Sequence, residues 1–140
     1  MGRYTGYTWV YSPKADRITE RMRKEIEDKS RPIIERLKKE YVKKLPKKLD
    51  CNYIVDIYSK WIQRRFYLCS KYICPKDAIF PWFENKFARL EYTGKKINNN
   101  NNKFQLFFMR HTGEWIKVLE DKSLNMCLKE IETSPWFVPW

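Results

Sequence analysis

The sequence holds no apolar run of the roughly 18 residues that a membrane-spanning helix needs, so no segment is expected to cross a bilayer. Its opening, MGRYTGYTWVYSPK, has no continuous apolar stretch ending in a small-residue cleavage site, which argues against a secretory signal. Gly6 stands where N-myristoylation requires Ser or Thr. These absences point to a cytoplasmic protein without a membrane partner, whose cysteines Cys51, Cys69, Cys74 and Cys127 are reduced thiols. Zinc spacing is missing too, because Cys69 and Cys74 have four residues between them and no close-spaced pair accompanies them. His111 is the only histidine. It lies in RHTGE, where a carboxylate could orient it as a base and Arg110 could hold an anion. No nucleophile and no glycine-rich phosphate loop accompanies it, so the expectation is an ordinary turn, with no catalytic residue, no metal and no cofactor.

What the sequence does have is aromatic mass and positive charge. Its 140 residues, 43% apolar and 16% aromatic, suffice for one folded domain with an aromatic-rich core. Against 17 acidic side chains stand 29 Lys and Arg, a formal charge of +12. Such a field concentrates acidic partners, nucleic acid or an anionic surface, near the protein. The excess runs along the chain and does not form a polybasic tail.

Tyr7, Trp9 and Tyr11 alternate at period two, so residues 1–13 are read as an extended arm packed on the core or offering rings to bases. Residues 14–49 form a charged helical segment with the stripe Ile18, Met22, Ile26, Ile33, Leu37, Tyr41 and Leu45. Pro32 splits it into two helices or kinks one, with Ser30 as a candidate cap. Residues 50–140 are read as an α-β-β-β-α core. Asn52 caps a helix running to about Tyr72, and CPKDAIFPWF is a loop. Three strands follow around Ala88 to Tyr92, FQLFFMR and EWIKVL, joined through the Asn98 to Asn102 run and through HTGE. Asp121 or Ser123 starts a last helix bearing Leu124, Cys127, Leu128 and Ile131, and the tail WFVPW either docks on the sheet or forms a contact surface. The expected fold is α+β: N-terminal helices, a three-stranded antiparallel meander and a C-terminal helix in a single domain.

The stretches YTWVYSP, NYIVDIYSKW, ENKFARLEY and FFMRHTGEW resemble a small bacterial family of uncharacterised proteins, a domain of unknown function. The resemblance implies a self-contained fold in a cytoplasmic bacterial setting and carries no catalytic residues. The α-β-β-β-α order also parallels double-stranded-RNA-binding domains. That parallel is of element order alone, because Glu120, Asp121 and Lys122 replace the Gly- and Lys-rich helix start that would grip phosphates.

Two functions compete on this reading. The first is a basic accessory protein for RNA or single strands, with Lys38, Lys39, Lys43, Lys44, Lys47, Lys48, Arg64, Arg65 and Arg110 on phosphates. The second is a module for binding a protein partner or a second copy, with Tyr7, Trp9, Tyr11, Trp136 and Trp140 as an aromatic contact surface.

Overall fold

Thr19 starts the first helix by accepting a hydrogen bond from the Met22 N–H at 3.1 Å, which satisfies one of the donors a helix start leaves open. The computed structural model describes residues 18–97 and 101–139, and in it this helix, α1, runs Glu20–Tyr41 without a break. The expected split at Pro32 does not occur. Pro32 is exposed and removes one backbone donor, while Ile26, Ile33, Ile34 and Leu37 bury the opposite face and hold both halves in line. Ser30 is not a cap either: it is buried, and its hydroxyl donates back to the Glu27 carbonyl at 3.1 Å.

The larger correction concerns residues 52–72, expected as a helix. They are two antiparallel strands, β1 (Tyr53–Ile62) and β2 (Arg65–Ile73), joined by the two-residue turn Gln63–Arg64. Gln63 takes φ 55, the left-handed conformation a tight hairpin turn demands. Strand β3 (Trp82–Ile97), β4 (Asn101–Met109) and β5 (Trp115–Lys122) follow, then α2 (Leu124–Thr133). The sheet is therefore a five-stranded meander in the order β1-β2-β3-β4-β5, not three-stranded, and among the described residues one helix precedes it. The element-order parallel with double-stranded-RNA-binding domains falls with that correction.

The second turn of the expected meander is as read. Gly113 has φ 92, and Arg110 and Glu114 close the hairpin, with the Arg110 N–H donating to the Glu114 carbonyl at 2.8 Å. Ser123, rather than Asp121, caps α2 by accepting from the Met126 N–H at 3.2 Å.

Both helices pack on one face of the sheet. There Phe66, Leu68, Leu90, Tyr92, Phe104 and Leu106 meet Ile26, Ile33 and Leu37 of α1 and Leu124, Cys127, Leu128 and Ile131 of α2 in one core. A bulge lets β3 turn Phe87 and Ala88 both inward. The tail docks on this side: Phe137 is buried, and the Pro139 carbonyl accepts from the Ser70 and Tyr72 hydroxyls, each at 2.7 Å. Tyr7, Trp9, Tyr11 and Trp140 lie outside the described residues.

Candidate functional site

Alternation along the strands decides what the other face of the sheet carries, and no described helix lies on it. Lys60 of β1 pairs with Tyr67 of β2, Tyr67 with Arg89 of β3, Arg89 with Phe107 of β4, and Phe107 with Lys117 of β5. One straight row across all five strands thus alternates cation, ring, cation, ring, cation. Neighbouring strands are about 4.8 Å apart, so the row is roughly 19 Å long.

The cations lie on the rings. The Arg89 guanidinium is 4.0 Å from the Phe107 centroid and 5.1 Å from that of Trp115. Lys86 and Lys117 each sit 5.9 Å from a ring, Tyr67 and Phe107 respectively. Such contacts contribute about 0.5–1 kcal/mol each at exposed sites. Tyr67 and Phe107 are buried beneath them, and Tyr67 also meets Trp115 at 5.7 Å. Trp115 and Trp82 keep part of their rings open to solvent. Lys71 lies 4.7 Å over the second.

Carboxylates position the cations from below. The Nε of Arg89 is 2.9 Å from Glu91 Oε2, at an angle that makes an ion pair rather than an aligned hydrogen bond, and Arg65 meets the same oxygen at 3.3 Å. Glu84 is the second anchor. It accepts from the Tyr58 hydroxyl and from Lys60 Nζ at 2.9 and 3.2 Å, and Lys86 Nζ is 3.1 Å away. Burial pushes the Glu84 carboxyl up, but the hydrogen bonds from Tyr58, Lys60 and Lys86 outweigh it and hold the group down at about 2. The bond to Glu84 also raises Lys60 above its ordinary value, so this lysine stays charged. Beneath the cluster Cys69 is fully buried, its thiol pushed up to about 12 by burial and then by Glu84. Such a thiol is inert.

The cationic residues expected from the sequence are spread over several places. Lys38 and Lys39 end α1, where Lys38 is shared between Glu35 at 3.8 Å and Asp56 at 3.7 Å. Lys43, Lys44, Lys47 and Lys48 are exposed in the connection to β1, and Arg64 is exposed in the β1–β2 turn. Arg110 pairs with Glu114 at 3.7 Å across the last hairpin, beside exposed His111. Only Arg65 falls on the ring-and-cation face. Trp136 is more than half exposed and stacks on Phe108 at 5.3 Å, on the helix side. Sequence reasoning missed Lys60, Lys86, Arg89 and Lys117 with Tyr67, Phe107 and Trp115. The available signal was the period-two string Arg65, Tyr67, Cys69, Lys71, concealed once 52–72 was read as a helix.

The described residues contain no group of three or more His, Cys, Asp or Glu able to hold a metal ion. Among them Cys51 is exposed while Cys69, Cys74 and Cys127 are buried, all unpaired. A family model described as a domain of unknown function, DUF3024, matches residues 14–140. The chain belongs to this family. The DUF3024 match takes in α1, α2 and strands β1 to β5, and it begins after the YTWVYSP opening at residues 7–13. No curated protein and no solved structure matches the chain.

Proposed function

We propose that the chain binds single-stranded nucleic acid, RNA above all, across the outer face of its sheet, and that it is a cytoplasmic binding protein rather than an enzyme. The row Lys60–Tyr67–Arg89–Phe107–Lys117 carries this reading. A single strand needs cations along a track for its phosphates and open ring surface for its bases. Here Lys60, Arg65, Lys86 and Lys117 supply the first, while Trp115 supplies the second. Arg89 presents a planar guanidinium already stacked on aromatic rings, a surface that accepts a base as well as a phosphate. A duplex cannot lie flat against an alternating row of this kind, because its bases are already stacked on one another.

The test is an anisotropy titration of a labelled single-stranded oligonucleotide at low salt and then at rising salt. The expected result is binding that weakens steeply with salt, through release of condensed counterions, and prefers single strands to duplex. Absence of binding at low salt overturns the proposal. Of the competing contact surface for a protein partner or second copy, Trp136 is exposed on the helix side of the sheet, away from this row, and Tyr7, Trp9, Tyr11 and Trp140 lie outside the described residues.

A further inference from the structure

The end of the sheet where β2 leaves and β3 enters presents large apolar side chains to solvent. Ile79 is 91% exposed, Phe80 68% and Trp82 50%. The loop that carries them is braced, because the Cys74 N–H donates to the Pro81 carbonyl and the Ala78 N–H to the Pro75 carbonyl, both at 3.0 Å. The tip is thus a projection held in place. An exposed cluster of this kind marks a contact surface.

Cations border it on three sides. Leu45, Lys47 and Lys48 of the connection before β1 line a cleft together with Pro75, Lys76 and Asp77. On the opposite side Phe83 lines a cavity with Arg110, His111 and Gly113 of the last hairpin. On the outer face the Lys71 ammonium lies 4.7 Å from the Trp82 ring centroid. The lysines at 47 and 48 and the arginine at 110, scattered relative to the sheet face, are gathered here.

We infer that this end of the molecule docks on an anionic lipid bilayer. Ile79 and Phe80 enter the boundary of the acyl chains, Trp82 lies at headgroup level with Lys71 beside it, and Lys47, Lys48, Lys76 and Arg110 face the phosphates. Charge selects this occupant over a second copy, since two tips face to face would bring their lysines together. Shape selects it over an apolar peptide, since a tip whose Ile79 is 91% exposed projects outward and encloses nothing. The docking departs from the expectation of no membrane partner and is peripheral: no described helix is long and apolar enough to cross a membrane.

Flotation of the full chain with vesicles of phosphatidylglycerol and phosphatidylcholine, against phosphatidylcholine alone, tests the inference. The chain is expected to float with the anionic vesicles only. Replacing Ile79 and Phe80 with serine should lower partitioning roughly tenfold or more. Replacing Lys47 and Lys48 with alanine should lower it roughly 25-fold, about fivefold for each lysine near an anionic surface. All four positions are exposed, and circular dichroism checks that the variants keep the fold. Lys60→Ala with Lys117→Ala should float like the unaltered chain, which separates this surface from the nucleic-acid face. Three results overturn the inference: no flotation with anionic vesicles, flotation unchanged by the two serines, or a dimer in sedimentation velocity that Phe80→Ser dissolves while vesicles stay unbound.

Discussion

Replacing Glu84 with glutamine should weaken the fold and strengthen anion binding at the same time. In the folded chain the carboxyl titrates at about 2 instead of its ordinary 4.5. A tenfold change in acid dissociation is worth about 1.4 kcal/mol, so the full displacement is about 3 kcal/mol. Lys60 is two-fifths exposed, and solvent screening reduces the usable part to about 1–2 kcal/mol. Because the folded value is depressed, this stability is present above about pH 4.5 and drains away as the pH falls toward 2. Urea unfolding followed by tryptophan fluorescence at pH 7 should show Glu84→Gln less stable by about 1–2 kcal/mol, with a flatter loss of stability below pH 4.5. The same substitution leaves Lys60 and Lys86 uncompensated on the outer face. A unit charge about 4 Å from a phosphate contributes about 1 kcal/mol in water, so affinity for a single strand should rise roughly fivefold. Equal stability across the acid range would refute the account of the cluster, and unchanged or weaker binding would refute its place on the nucleic-acid face.

The remaining expectations concern packing and reactivity. Phe137→Ala should cost about 3–5 kcal/mol in a urea titration, because the ring is buried in the core, edge-on to Phe108 of β4, and its loss leaves a cavity. A surface-like effect below about 1 kcal/mol would show that the tail is not docked. Pro32→Ala should stabilise the chain by up to about 3 kcal/mol, since it restores a donor to the Asp28 carbonyl at an exposed helix position, and a lower unfolding midpoint would contradict this. A disulfide reagent at pH 8 should modify Cys51 at once and leave Cys69 and Cys127, pushed up to about 12 by burial, unmodified until the chain unfolds. Rapid modification of more than two thiols in the folded chain would contradict their burial.

Helix α1, helix α2 and strand β3 were legible because each carries one clear period, such as Ile26, Ile33 and Leu37 in the first and Ala88, Leu90 and Tyr92 in the third strand, and β4 and β5 because they are compact aromatic and β-branched runs of strand length. Strands β1 and β2 were not, for three physical reasons. Both faces of β2 are buried, from Phe66 through Ser70, so no alternation of apolar and polar residues shows. The turn between them uses Gln63 and Arg64, with neither glycine nor asparagine to mark it. Finally, Ile54, Ile57, Tyr58, Trp61 and Ile62 happen also to satisfy a helical stripe. Long-range pairing with β3 overrides that local pattern. The site was hidden by the same misreading. Charge counting favours lysine runs such as 43–48, whereas the row across the sheet draws one residue from each of five segments, and only strand register brings those together.

The salt dependence of single-strand binding, compared between the unaltered chain and one carrying Lys60→Ala with Lys117→Ala, tests the central claim most directly. Each phosphate that no longer meets a cation lowers the slope of log affinity against log salt by about 0.7 for a single strand. Removal of both ends of the row should therefore reduce the slope by about 1.4. Alanine at Lys43 and Lys44, exposed and off the sheet face, should leave it nearly unchanged. A full slope in the absence of Lys60 and Lys117, or an equal drop from the Lys43 and Lys44 pair, would contradict the account.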